Sequence, residues 1–149
     1  MNGATTDYDD DYLATVLPIA PYFGTKTYFI SRIETLHDEK LHHIIVNGCS
    51  NRLDRLTEVV STSSAPCSNP QILYAWANDA DPLVLPDDAA IRIGGSSNIN
   101  SIKLECHYKV EFKIGRDKFF SQCGKNLHFG HNRKMQNLIK FVKKTEILN

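Results

Sequence analysis

The chain alternates between apolar and polar positions over several short stretches, and the longest runs from Ile102 to Ile114. There Ile102, Leu104, Cys106, Tyr108, Val110, Phe112 and Ile114 fall on one side, with Lys103, Glu105, His107, Lys109, Glu111 and Lys113 on the other. A period of two is the mark of a half-buried strand. It directs His107 away from the apolar layer, toward solvent or a cleft. Thr25 to Ile33, Lys40 to Val46, Ile72 to Ala77 and Ile91 to Ile93 read as further strands, with Trp76 expected to fill the core. The six residues Glu34 to Glu39 read as a polar turn that leaves His37 on the surface. Asp79 to Asp88, with Pro82 and Pro86, and Ser61 to Pro70 read as loops. Two segments follow the helical period instead. Leu53, Leu56, Val59 and Val60 suggest a turn or two of helix within 51–60. Positions 128, 131, 135, 138 and 142 form an amphipathic stripe that predicts a C-terminal helix.

His42 and His43 sit side by side at the start of the strand Lys40 to Val46, and His107 lies on the polar face of another. Three convergent imidazoles make a metal site suited to copper, zinc, iron or nickel. A His-His pair alone is more often a strand-end feature than a ligand pair. Neighbouring strand residues also face opposite ways, so a flat strand cannot aim both rings into one pocket. A twisted or edge strand could let both reach one ion, in a T-shaped or trigonal arrangement with His107 as the third arm.

The wording around these histidines is more specific. Leu41 to Cys49 resembles the HHM-x-x-x-G-C motif of the peptidylglycine α-hydroxylating monooxygenases, in the copper- and ascorbate-dependent monooxygenase family. Ile72 to Ala77 matches its ILYAWA block, and Leu85-Pro86 its LP. Ile91 to Gly95 is similar to its FRVGG, Leu104 to Tyr108 to its L-x-VHY, and Thr27 to Phe29 to the TYF that opens its core. The dopamine β-monooxygenase branch shares the His-His and His-Tyr elements, but ILYAWA favours the peptidylglycine branch. The match runs from about Thr27 to Tyr108.

The resemblance implies an all-β, jelly-roll-like antiparallel β-sandwich that holds one copper through His42, His43 and His107. In the family this copper takes electrons from ascorbate and passes them across a cleft. The second copper, where O2 is activated and the glycine Cα of a glycine-extended peptide is hydroxylated, lies in a following domain with a His-x-His pair and a distant Met. With 149 residues the chain can bury one core, so the expectation is an electron-transfer domain without that catalytic partner. Such a chain would not hydroxylate peptide alone. The alternative is a truncated, non-catalytic copper-binding or interaction module. The tail offers His128, His131 and Met135, but the spacing is His-x-x-His and the helical stripe explains it better. The family carries more residues between the first two strands, which suggests that one strand of the sandwich is absent. The organisation expected is an acidic leader over 1–24, a copper domain over 25–114, and a basic tail over 115–149 outside the family pattern.

The family also has a disulfide where Cys49 and Cys67 stand. Cys106, on the apolar face, reads as a small buried hydrophobe. Cys123 resembles the remnant of another family bridge, with no cysteine before Cys49 to receive it; Ile30 stands at one of the family's other cysteine positions. The bridge and the family point to the secretory route or the extracellular space. Met1 to Asp11, however, is acidic and polar, without the apolar stretch of a signal peptide.

Formal net charge is zero but unevenly placed. Residues 109–149 hold ten Lys/Arg against three Asp/Glu, a balance of +7, which leaves −7 for the rest. The basic segment Asn132 to Lys144 suits at most weak contact with an anionic membrane surface. No aromatic ladder or phosphate-binding loop supports nucleic-acid binding, and no nucleotide loop, nucleophile elbow or Cys-x-x-Cys pair offers other chemistry.

Overall fold

The computed structural model describes residues 12–37, 41–58, 60–77, 80–108, 123–130 and 136–140. They form two antiparallel sheets. One has the order β4-β1-β8-β3-β5, built from β1 (Tyr12–Pro18), β3 (Leu41–Cys49), β4 (Val60–Ser61), β5 (Gln71–Ala77) and β8 (Ser101–Tyr108). The other has the order β10-β9-β2-β6, with β7 also paired to β2; its strands are β2 (Thr27–His37), β6 (Leu83–Val84), β7 (Ile91–Gly94), β9 (Cys123–Gly130) and β10 (Gln136–Lys140).

The inner faces share one core. Ile30, Ile33 and Ile93 from the second sheet pack with Ile44, Val46, Trp76, Ile102, Cys106 and Tyr108 from the first. This is the all-β sandwich that the alternating pattern predicts, and Trp76 is buried in it. The even positions of β8 turn inward as their apolar character requires. Gly48 lies where a Cβ would come within 2.9 Å of Ile99 Cδ1, so the core closes over the end of β3 only because that position has no side chain. Gly94 and Gly95 take φ of 65° and 51°, the left-handed region, and turn the chain from β7 toward β8.

Several elements differ from the sequence reading. Tyr12–Pro18, expected within a leader, is β1; it pairs with β8 along its whole length, from Tyr12↔His107 to Pro18↔Ser101. Its alternating burial was masked in sequence by the acidic run before it. β2 continues through His37, so the stretch from Glu34 to His37 is strand rather than turn. Residues 51–58 are irregular and contain no helix. They cover the outer face of the first sheet instead, where Leu53 packs on Ala14, Val16 and Ala65. Leu83–Val84, within an expected loop, adds a short strand to β2.

The expected C-terminal helix is also corrected. Cys123–Gly130 and Gln136–Lys140 are strands, β9 laid along β2 and β10 along β9. A few apolar positions at helical spacing also fit a strand, and the edge of β2 offers a template on which β9, and then β10, pair their backbones. The segments 109–122, 131–135 and 141–149, and with them the far half of the Ile102 to Ile114 alternation, lie outside the described residues.

Candidate metal centre

The outer face of the first sheet carries the three histidines. β3 and β8 pair as Leu41↔Tyr108 and then His43↔His107, so His42 is an extra residue on β3. This is a β-bulge, one residue unpaired and the strand locally re-aimed. Its effect is visible in the core: Leu41 and Ile44 are both buried although three positions separate them. On a regular strand one of the pair would face outward. The bulge absorbs the mismatch and leaves His42 and His43 together on the outer face. β3 is an interior strand, between β8 and β5, so the bulge, not an edge, resolves the adjacent-histidine problem.

The three rings converge. His107 Nδ1 lies 3.1 Å from His42 Nδ1 and 3.1 Å from His43 Nδ1. One ligand nitrogen from each residue falls within 4.8 Å of the others, and among the described residues this is the one cluster of three or more potential metal ligands. Ring centroids are 4.5 Å apart for His43 and His107, 5.0 Å for His42 and His107, and 5.3 Å for His42 and His43, with interplanar angles of 60°, 69° and 57°. Such tilts let the in-plane lone pairs point to a common centre instead of stacking ring on ring.

The donor set fits a metal. Two nitrogens each bound at ~2.0 Å to one ion stand ~2.8 Å apart at a right angle and ~3.5 Å apart in a trigonal site. The observed 3.1 Å lies between. Three neutral imidazoles without a thiolate suit copper or zinc, so the donors alone do not choose between them.

His107 faces away from the core, as its place on the polar face predicts, but into a covered site and not into open solvent. It is 5% exposed, while His42 and His43 are half-buried. Its cover is Tyr12, whose ring lies parallel to the imidazole at 3.9 Å and 7° and meets His43 edge-on at 5.9 Å. Tyr12 escaped the sequence reading; the available signal was the alternation that starts with it, Tyr12, Ala14, Val16 and Pro18. Further along the same face Lys103, Glu105 and Asn47 form a buried polar group. Lys103 Nζ is 3.0 Å from Glu105 Oε1 and donates to the Thr62 carbonyl at 2.9 Å. Asn47 Nδ2 donates to the same carboxylate at 2.9 Å.

Cys49 and Cys67 are bridged, with Cα atoms 5.1 Å apart. The bridge ties the end of β3 opposite the histidines to the covering loop. Cys106, beside His107 but facing the core, is buried as its place on the apolar face predicts, and it is also disulfide-bonded. Of the alternative cluster, His128 stands on β9, in register with Arg32 in the other sheet; His131 and Met135 lie outside the described residues.

Residues 2–114 match the family model for the copper type II ascorbate-dependent monooxygenase N-terminal domain. The chain is 28% identical over 121 residues to peptidyl-glycine alpha-amidating monooxygenase B of Xenopus laevis, covering 79% of this chain and 13% of that protein. It is 29% identical over 111 residues to form A of the same organism, covering 72% and 11%. To the peptidyl-glycine alpha-amidating monooxygenase of Mus musculus it is 28% identical over 130 residues, covering 86% and 13%. The chain therefore spans about an eighth of the length of these relatives. With the matched segment containing both strands that carry the imidazole trio, the chain belongs to the copper type II ascorbate-dependent monooxygenase family, through its N-terminal domain.

Proposed function

We propose that this chain binds one copper ion through His42, His43 and His107 and serves as the electron-transfer domain of a peptidylglycine monooxygenase. The observation that carries the reading is the bulge at His42, which brings two adjacent histidines onto one face beside His107. Copper bound there supplies a one-electron couple between Cu(II) and Cu(I), with ascorbate as the family's reductant. The protein's part is to hold three imidazoles at separations both oxidation states accept, with the π face of His107 covered by Tyr12. His42 and His43 are half-buried, which leaves the centre a side by which a small reductant approaches.

Hydroxylation of a glycine-extended peptide is the activity proposed for the whole enzyme, by likeness to relatives named for peptidyl-glycine amidation. Among the described residues one trio of ligands supports electron storage at a single copper. A disulfide at Cys49–Cys67 suits an oxidising compartment, so the secretory route is the proposed location. No described helix is long and apolar enough to cross a membrane.

Copper titration of the purified chain tests this. One ion per chain is expected, lost in His107→Ala, with ascorbate bleaching the Cu(II) signal. Given ascorbate, O2 and a glycine-extended peptide, the 149-residue chain is expected to release no hydroxyglycine product. A second bound copper, or binding indifferent to His107→Ala, would overturn the single-site reading.

A further inference from the structure

We infer that Tyr12 is a positioning residue of the metal centre, fixing the plane of the His107 imidazole and closing one side of the site. The inference rests on the trio being the copper site. Antiparallel pairing sets Tyr12 directly opposite His107, and cross-strand neighbours on one face of a sheet are in side-chain contact. The rings lie parallel, 3.9 Å apart. A stacked partner occupies the π face of an imidazole, whereas metal ligation uses the lone pair in the ring plane. Tyr12 therefore restrains the ring without competing for the nitrogen. Rotation of His107 about its Cβ–Cγ bond would drive the imidazole edge into the tyrosine, so Nδ1 stays aimed at His42 and His43.

Tyr12 is itself held from two sides. On one side is the β8 ladder. On the other, the Thr62 amide donates to the Tyr12 carbonyl at 3.0 Å, and the Thr62 carbonyl accepts from Lys103 Nζ at 2.9 Å. Lys103 is paired with Glu105, two positions from His107 on the same face of β8. The polar residues of β8 thus clamp the loop segment that clamps Tyr12, whose ring in turn orients the last residue of that row. Partners that orient a metal ligand in this way typically set metal affinity as well as geometry.

The test compares wild type, Tyr12→Phe and Tyr12→Leu. Leucine keeps apolar bulk at a position 44% exposed but has no flat face, so the fold is expected to survive, which a thermal melt of the metal-free protein checks. Cu(I) affinity is measured by competition with a chromophoric chelator, and the Cu(II) site by electron paramagnetic resonance. Tyr12→Phe is expected to match wild type in both. Tyr12→Leu is expected to bind Cu(I) ~10-fold more weakly, within the range for lost orienting contacts, and to give an altered, broadened Cu(II) spectrum. Wild-type affinity and spectrum in Tyr12→Leu would overturn the inference while leaving the copper reading intact. Loss in Tyr12→Phe equal to that in Tyr12→Leu would also overturn it, because the hydroxyl, not the ring, would then matter. Failure of the wild-type chain to bind copper would overturn the copper reading itself, and the inference with it.

Discussion

Removing the bridge between Cys49 and Cys67 isolates what it contributes. The cysteines are 18 positions apart, and closing a loop of that length in the unfolded chain is worth ~3 kcal/mol in the chain-entropy model. The native state has independent means of keeping the ends together. The Ser50 amide donates to the Ser68 carbonyl at 2.8 Å, the Ser68 amide to Asn51 Oδ1 at 3.0 Å, and Asn69 Nδ2 to Ser50 Oγ at 3.0 Å. β3 is paired along its length with β8, to Cys49↔Ser101. The double variant Cys49→Ala/Cys67→Ala should therefore keep its native geometry and lose stability mainly because its unfolded state is freer. Alanine avoids placing a hydroxyl at the fully buried Cys49. Urea unfolding of the metal-free chain, in chelator so that bound metal adds nothing, should show the midpoint lower by ~2 M for a slope of ~1.5 kcal/mol/M. Copper affinity under native conditions should be unchanged. A midpoint shift below ~0.5 M would refute the entropic account. A fall in native copper affinity would show that the bridge shapes the histidine strand directly.

Two further outcomes follow from packing. Ile44→Ala removes a fully buried side chain in register with Trp76 and Cys106 and should cost ~2–5 kcal/mol, read from denaturant unfolding; a cost under ~1 kcal/mol would mean the sandwich core is loose there. Lys103→Met leaves Glu105 without its cation and frees the Thr62 carbonyl, which should cost ~1–3 kcal/mol. The joint variant Lys103→Met/Glu105→Gln should recover part of that loss in the same assay. Non-recovery would assign the cost to the Thr62 contact instead of to the stranded carboxylate.

The residues themselves marked the three histidines and the two strands that carry them. Period-two alternation located β8, because burying one face of a sheet imposes that pattern directly, and short apolar runs located β5 and β7. The local wording around His42, His43 and His107 singled out the candidate ligands, because a ligand must be one of few residue types. The convergence of those ligands was decided only by tertiary pairing. Whether two adjacent histidines share a face depends on a one-residue slip between β3 and β8, and the slip follows from burying both Leu41 and Ile44 against the opposite sheet. No local rule expresses that requirement. The same holds for Tyr12, which acquires its place beside His107 from a strand pairing some ninety positions away in sequence. It holds too for β9 and β10, whose apolar spacing fitted a helix until β2 offered an edge to β9 and β9 in turn offered one to β10. Periodicity reports which face of an element meets the core; which elements become neighbours, and with what register, is settled by the whole core closing at once.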